Sequence, residues 1–544
     1  MHPIVLAALA PFATLPIMPD DGSPLPRDLT PAEAAWVAAN PIRAEGLRGD
    51  TPTGPIHCTG EYEPVEGLLL AYEGTASWLS ILNQMAAKIT TVGDANVYVM
   101  CDTVSEQTTA RNAMVAAGAD TNRVFTFVHT TDTIWIRDYG PRYIYEGNGG
   151  PNHDQGVRAI VDHTYNRPRP NDNATPQFWA DVRGETHYQI PLVHGGGNYH
   201  LSALTDSYAT RLIANENPGL TESDIIQLWH DYQGVNTTIN DPFPTSVDST
   251  QHIDMWMEIP GDRAVVIGDY PLAPGSTHDQ ICDARAAAMA AAGYAVTRVP
   301  NIGNPGATHY TFTNVVVCND IVLLPYYDGV AQTYNDQALA AWQAATPDKQ
   351  IIQIDCDAIV TSAGVMHCIV MHVPVCAGGA NPVAWITSPN GAGSYNPGDE
   401  VAVTWRSDDD TPFFGRPIAS ADLLLSTDGG ATFQPQLTGL PNTGSATWTV
   451  PALATSQGVL RVLLHDADGN TGYDDTDGLV TITSPACNPA DIAAPFGVLD
   501  LADVQTFIAG FVAGDLVADI AVPFGVLDLA DVQAFIGAFV AGCP

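Results

Sequence analysis

The stretch Glu61-Tyr62-Glu63-Pro64-Val65-Glu66-Gly67-Leu68-Leu69-Leu70-Ala71-Tyr72 ends on a continuous apolar run of strand length, and the alternation that begins there decides the fold class. Helical spacing, with apolar residues at i, i+3 and i+4, occupies 77–88; a strand-like run comes next at 97–101, then a helix at 106–117 and a strand at 123–128. Further strand-like runs lie at 133–137, 159–164, 264–267, 295–299, 313–317 and 321–324, and further helical ones at 222–232, 280–291 and 335–345. Alternation of this kind predicts an α/β domain.

Beyond it the composition changes. Around 378–382 Gly, Ala, Asn and Pro take over and helical periodicity stops. From 383 to 484 short alternating strands are separated by Gly, Asp and Pro turns, the pattern of an all-β sandwich of immunoglobulin or fibronectin type. The tail is a duplication: Ala490-Asp491-Ile492-Ala493-Ala494-Pro495-Phe496-Gly497-Val498-Leu499-Asp500 recurs almost letter for letter from Ala518. In each copy an aspartate, Asp500 or Asp528, is placed to cap a helix; in the first the apolar face would be Val504, Phe507, Ile508 and Phe511. The expected division is a candidate signal peptide at 1–22, an α/β domain at 23–379, the sandwich at 380–485 and the duplicated helical module at 486–544.

With 60 acidic against 20 basic residues the formal charge is −40, which argues against duplex nucleic acid or an anionic membrane as partner and favours a cationic substrate. No run reaches membrane-spanning length. The first fifteen residues are apolar, but no Lys or Arg occurs before Arg27, so they make a weak export signal. Together with nine cysteines this favours a secreted or cell-surface protein over a cytoplasmic one. Cys487 and Cys543 bracket the tail and would close it as a loop; for the others no pairing can be deduced from sequence.

Chemistry concentrates in the α/β part. Ser362-Ala363-Gly364-Val365-Met366-His367-Cys368-Ile369-Val370-Met371 places a cysteine where a glycine turn meets an apolar strand, partly open to solvent. A buried inert thiol is the ordinary alternative. Asp132-Thr133-Ile134-Trp135-Ile136-Arg137-Asp138-Tyr139-Gly140-Pro141 ends a strand on an acidic residue before a turn. In His252-Ile253-Asp254 both polar side chains would share one strand face, and Asn314 enters an apolar run. Singly, each has a structural explanation. Together, Cys368 as nucleophile, His252 as acid and base, and the Asp138 and Asp254 carboxylates suit a planar cation with several N–H donors, a guanidinium. His194 before three glycines and His367 beside Cys368 lack the spacing of a zinc site.

At these residues the chain resembles the guanidino-group-modifying (pentein) superfamily, and within it the bacterial-type peptidylarginine deiminase and agmatine deiminase family. The resemblance runs over about 61–374 and rests on Glu-Tyr-Glu-Pro at 61–64, Trp-Ile-Arg-Asp-Tyr-Gly-Pro at 135–141, His-Gly-Gly-Gly-Asn at 194–198, His-Ile-Asp-Met at 252–255 and Gly-Val-Met-His-Cys at 364–368. It implies a five-bladed α/β propeller of ββαβ units and a reaction without organic cofactor. It further implies that Asp138 and Asp254 grip the guanidinium, that His252 and Cys368 do the chemistry with Asn314 beside them, and that Trp135 lines the substrate's stem. The stretch 162–172, with Asp162, Arg167 and Arg169, is similar to the peptidylarginine branch, whose arginines hold a substrate carboxylate. Val365 and His194 depart from the usual residues. The expected reaction is conversion of peptidyl-arginine, at a C-terminus, to citrulline and ammonia through a covalent thiouronium. Agmatine deimination, a step toward putrescine, is the alternative, and a non-catalytic surface scaffold the second. The tail resembles dockerin-type anchoring modules, which implies an anchoring partner and calcium held by Asp491, Asp500, Asp503, Asp519, Asp528 and Asp531, although Ala493 and Pro495 stand where oxygen ligands are wanted.

Overall fold

The computed structural model describes residues 24–44, 51–147, 156–410, 418–483, 486–494 and 496–543. The expected leader at 1–22 lies outside them. The chain divides into two compact units, one holding residues up to Glu146 with Arg158–Val375, the other Gly147–Val157 with Cys376–Pro544.

In the first unit the strand Val65–Ala71 is central to a four-stranded sheet. It pairs in parallel with Asn96–Cys101, which pairs in parallel with Val124–Val128. Parallel neighbours need crossovers, supplied by the helices Ala76–Thr91 and Val104–Ala116, whose first turns are capped by the Thr75 and Thr103 hydroxyls. The fourth strand, Met371–Pro374, lies antiparallel along the other edge, with Met371 opposite Leu69. It begins just after Cys368, so the cysteine is fixed to the sheet that opens the unit.

Three further sheets repeat one scheme, an antiparallel pair, a helix and a strand parallel to the second of the pair. They are built from His200–Leu201, Asp206–Thr210 and Asn236–Asn240; from Met257–Gly261, Ala264–Asp269 and Ala295–Pro300; and from Val316–Cys318, Ile321–Tyr326 and Gln350–Asp355. The fifth sheet orders Ile56–Cys58, Arg142–Glu146, Val157–Tyr165 and Thr186–His194. Its last two strands, parallel, flank the helix Thr175–Arg183. One buried cluster joins Leu68, Val97, Trp135, Val316, Leu323 and Cys368.

Two expected strands are turns. Residues 133–137 do not extend; Ile136–Tyr139 is one helical turn, closed by Gly140 N–H donating to the Ile136 carbonyl at 2.7 Å. Asp254 lies in the short 3-10 turn Ile253–Met255 and His252 immediately precedes it, so the two do not share a strand face. The strand expected at 313–317 starts at Val316, leaving Asn314 ahead of it.

The second unit is β-rich. Val383–Ser388, Glu400–Asp408 and Ser445–Thr449 form one sheet, and six strands centred on Ile418–Ser426 and Thr455–Asp466 form another. Ala421, Leu423 and Leu425 alternate inward from Ile418–Ser426 to meet Trp405 and Trp448. In the tail, Leu501–Ala513 and Leu529–Ala541 are capped by Asp500 and Asp528. Phe507 stacks on Phe535 at 4.1 Å, and Cys487 is joined to Cys543. Ile508, expected on the packed face, is exposed.

The tail aspartates act here on backbone donors. Asp503 accepts from Ile492, Ala493 and Asp500 N–H, and Asp531 from Ile520, Ala521 and Asp528 N–H. Asp491 accepts from Cys487 and Gly497 N–H, and Asp519 from Gly525 N–H. Among the described residues these six aspartates do not form a converging ligand group.

Candidate active site

Asp138 and Asp254, from the two turns described above, face each other across a guanidinium supplied by the chain itself. Arg27 Nε and Nη2 donate to Asp138 Oδ2 and Oδ1, both at 2.9 Å. Its Nη1 donates to Asp254 Oδ1 at 3.1 Å, and Nη2 to Asp254 Oδ2 at 2.8 Å. Nη2 also lies 2.7 Å from His252 Nδ1. All of these side chains are buried. Two carboxylates without a cation there would be an uncompensated buried charge, worth several kcal/mol.

The charge states are set by that packing. Burial would push Asp138 and Asp254 up, but the Arg27 charge and the hydrogen bonds made to the two carboxyls outweigh it and hold both well below the ordinary carboxylate range. Burial pushes His252 down, against the pull of Asp138. The imidazole is therefore neutral near pH 7, and among the described residues its Nε2 has no hydrogen-bond partner. Gly197 gives the pocket its width: its N–H donates to Asp138 Oδ1 at 3.0 Å, and a Cβ on it would lie 1.8 Å from Arg27 Nη2.

Cys368 sits in the 3-10 turn His367–Ile369 and is fully buried, not partly open as expected, within the apolar cluster that also holds Trp135, Val365 and Ile369. Asn314 Nδ2 donates to Cys368 Sγ at 3.1 Å and Asn314 Oδ1 accepts from His367 N–H at 3.2 Å. Gly364 is needed for room, not for flexibility: a Cβ there would lie 2.6 Å from Trp135 Cζ3, 3.0 Å from Arg27 Cδ and 3.1 Å from Cys368 Sγ. The left-handed residue of the turn is Ala363, at φ 65°. Burial pushes the thiol up, Asp254 and Asp138 add to this, and the Arg27 charge opposes them.

Behind the thiol runs a buried chain that the sequence pattern did not reveal. His367 Nδ1 lies 3.0 Å from Asp254 Oδ2 and its Nε2 2.9 Å from Glu61 Oε2, while Arg137 donates to Glu61 Oε1 at 2.9 Å. Burial and Arg137 disfavour protonation of His367, but the two carboxylates prevail and raise its pKa. Of these, Glu61 and His367 lie with His200 and Glu258 in a group whose ligand atoms could gather around an ion. Their signal in sequence was the Glu-Tyr-Glu-Pro stretch and the His before Cys368.

Trp135 Nε1 donates to the Leu25 carbonyl at 2.9 Å, two residues before Arg27. Arg167 and Arg169 hold backbone. Arg167 Nε donates to the Arg27 carbonyl at 3.2 Å, and Arg169 Nη2 to the Pro26 and Asp28 carbonyls at 2.8 and 3.1 Å. Arg169 also pairs with Glu33 at 2.9 Å. Asp162 is not brought to the pocket; it accepts from His163 N–H and pairs with His187.

A buried thiol, an imidazole and two carboxylates around a planar cation can bind a guanidinium and place its carbon near a nucleophile. The chain is similar to known proteins in sequence and fold. The agmatine deiminase of Ectopseudomonas mendocina (strain ymp) is 22% identical over 294 residues, covering 45% of this chain and 75% of its own. A provisionally named agmatine deiminase of Streptomyces avermitilis is 23% identical over 271 residues, with the same two shares. The solved agmatine deiminase of Enterococcus faecalis, at 18% identity, covers 59% of this chain and 96% of its own with a TM-score of 0.51, a likeness of fold. The Porphyromonas-type peptidyl-arginine deiminase profile matches residues 57–374, more than half of the chain. The class is thus that of the deiminases, hydrolases acting on the C–N bonds of amidines. Within it, the chain belongs to the Porphyromonas-type peptidyl-arginine deiminase family.

Proposed function

We propose that the pocket converts a guanidinium to a ureido group, with Cys368 as nucleophile, His252 as acid and base, Asp138 and Asp254 as the clamp and no cofactor. The observation that carries this is the guanidinium already seated between the two carboxylates with His252 on the same nitrogen. The thiol sulfur attacks the guanidinium carbon while its proton passes by way of His252 to the departing nitrogen, which leaves as ammonia. Water activated by His252 then adds to the thiouronium carbon, the C–S bond breaks, and the thiol and a ureido product are regenerated with release of one proton. The clamp supplies the cation that helps the thiol ionise, since the seated guanidinium is the charge that lowers its pKa most.

Arginine within a peptide is favoured as substrate, because Arg167 and Arg169 donate to main-chain carbonyls on both sides of the seated arginine. This replaces the expected reading in which the pair binds only a terminal carboxylate. Agmatine is the second reading, supported by the activity named for the relatives. We further propose that the unit is closed as a five-bladed propeller, supported by its five sheets, and that the β-rich region is an immunoglobulin-like sandwich. The duplicated tail anchors an exported enzyme; Leu501 and Leu529, Ile508 and Ile536, and Val512 and Val540 are exposed in pairs, one per copy. The test is a ureido-product assay on a peptide with internal arginine, a peptide ending in arginine, free arginine and agmatine. Product from the peptides supports the reading. Product from agmatine alone assigns the enzyme to the second.

A further inference from the structure

The occupant of the pocket is covalently part of the protein. Residues 24–30 cross the site as a strap: Arg27 N–H donates to the Ser362 carbonyl at 3.0 Å, Arg167 and Arg169 hold the carbonyls of Pro26, Arg27 and Asp28, and Trp135 holds that of Leu25. Thr30 then caps the helix Pro31–Ala39, whose Glu33 is locked to Arg169. Every acceptor an incoming guanidinium would need on Asp138 and Asp254 is already taken by Arg27.

We infer that Arg27 is the enzyme's own first substrate, and that its conversion to citrulline frees the pocket for other guanidines. This rests on the deiminase reading of the site. Arg27 occupies the clamp that the deiminase reading assigns to a substrate guanidinium. Arg27 Cδ and Cys368 Sγ both lie about 3 Å from one point beside Gly364, and Arg27 Nη2, the nitrogen in contact with His252, is the one placed to receive a proton and leave. Cys368 Sγ bonds to Cζ as that nitrogen departs as ammonia carrying the thiol proton. Water then supplies the ureido oxygen, the C–S bond breaks, and the thiol is restored with loss of one proton. The product has no charge and has exchanged an N–H₂ for an oxygen. That oxygen faces carboxylate oxygens, which have nothing to donate to it, where the lost nitrogen was held at 2.8–2.9 Å. Repulsion replaces attraction, and the strap loses its central anchor. On its flank Asp28 borders a cleft of about 220 Å³, together with Asp248, Met255, His309 and Ala363, which leaves room beside the strap on that side.

The full chain should be purified as wild type, Cys368→Ala, Arg27→Gln and Arg27→Lys, and the peptide spanning residue 27 analysed by mass spectrometry. Citrulline is expected at position 27 in the wild type and arginine in Cys368→Ala. Incubating Cys368→Ala with active enzyme should leave its arginine intact, since the reaction is within one chain. Arg27→Gln, neutral like the product, should turn over added peptidyl-arginine from the first moment. Arg27→Lys keeps a cation that cannot be deiminated and should stay occluded, with kcat/KM lower by about tenfold or more, because occlusion scales affinity by the fraction of open sites. Arginine persisting at position 27 in a wild type that deiminates added peptide overturns the inference and leaves the function standing. No ureido product from wild type or Arg27→Gln, with no labelling of Cys368 by a haloacetamidine, overturns both.

Discussion

Cys368 lies where burial and two carboxylates oppose a thiolate and the charge of a guanidinium is the chief influence in its favour. Its folded pKa is raised, so the thiolate appears only as pH increases. Alkylation by neutral iodoacetamide should therefore be slow at pH 7 and climb with pH beyond about 9, whereas a cationic haloacetamidine, which brings its own charge, should react well at neutral pH. Rapid neutral alkylation at pH 7 would show that something other than substrate ionises the thiol. Asp254 is more than a clamp, because it also meets His367. Asp254→Asn should lower turnover roughly a thousandfold or more while the circular dichroism spectrum is kept. A tenfold loss or less would reduce it to a packing residue. Most of these residues were legible as residue types in short motifs. Arg27 was not, because it stands in a Pro-rich lead without periodicity; its only sequence signal was being one of 20 basic residues in a chain of charge −40. The glycine before the cysteine suggests conformational freedom in sequence, whereas its use is the space between Trp135 and Sγ.

At the scale of elements, periodicity located the helices and most strands, since each buries one face against a neighbour. It failed at 133–137 and 252–254. These segments carry Asp138, His252 and Asp254 inward, which extended backbone with alternating sides does not do. The tail shows the opposite balance, because its capping aspartates and duplicated helices were plain in sequence. The aspartates that the resemblance suggests as calcium ligands are hydrogen-bond staples in the structure. Asp503→Ala or Asp531→Ala removes three backbone bonds and should destabilise the tail by about 1–3 kcal/mol, read by calorimetry or proteolysis. A chelator should leave the tail's transition where it is. A chelator-induced shift would restore the calcium reading.

For the whole molecule, the first compact unit runs to Val375 without Gly147–Val157, and a chain leaving one core stops following its periodicity. The pocket draws on Arg27, Asp138, His252, Asp254, Asn314 and Cys368, all in the first unit. Ending the chain at residue 379 should leave kcat/KM within about twofold of the full protein, and a soluble, folded truncation without turnover would place part of the site beyond that point. The α/β class was readable from alternation; the five-sheet arrangement was not, because it rests on pairings between segments far apart in sequence, such as Met371–Pro374 with Val65–Ala71. Everything proposed turns on whether this pocket deiminates. The direct measurement is the ratio of ureido product to ammonia from an arginine peptide, with wild type and Cys368→Ala side by side. The expected result is equal amounts of both from the wild type and neither from Cys368→Ala. Equal turnover by the two proteins, or ammonia without ureido product, would contradict it.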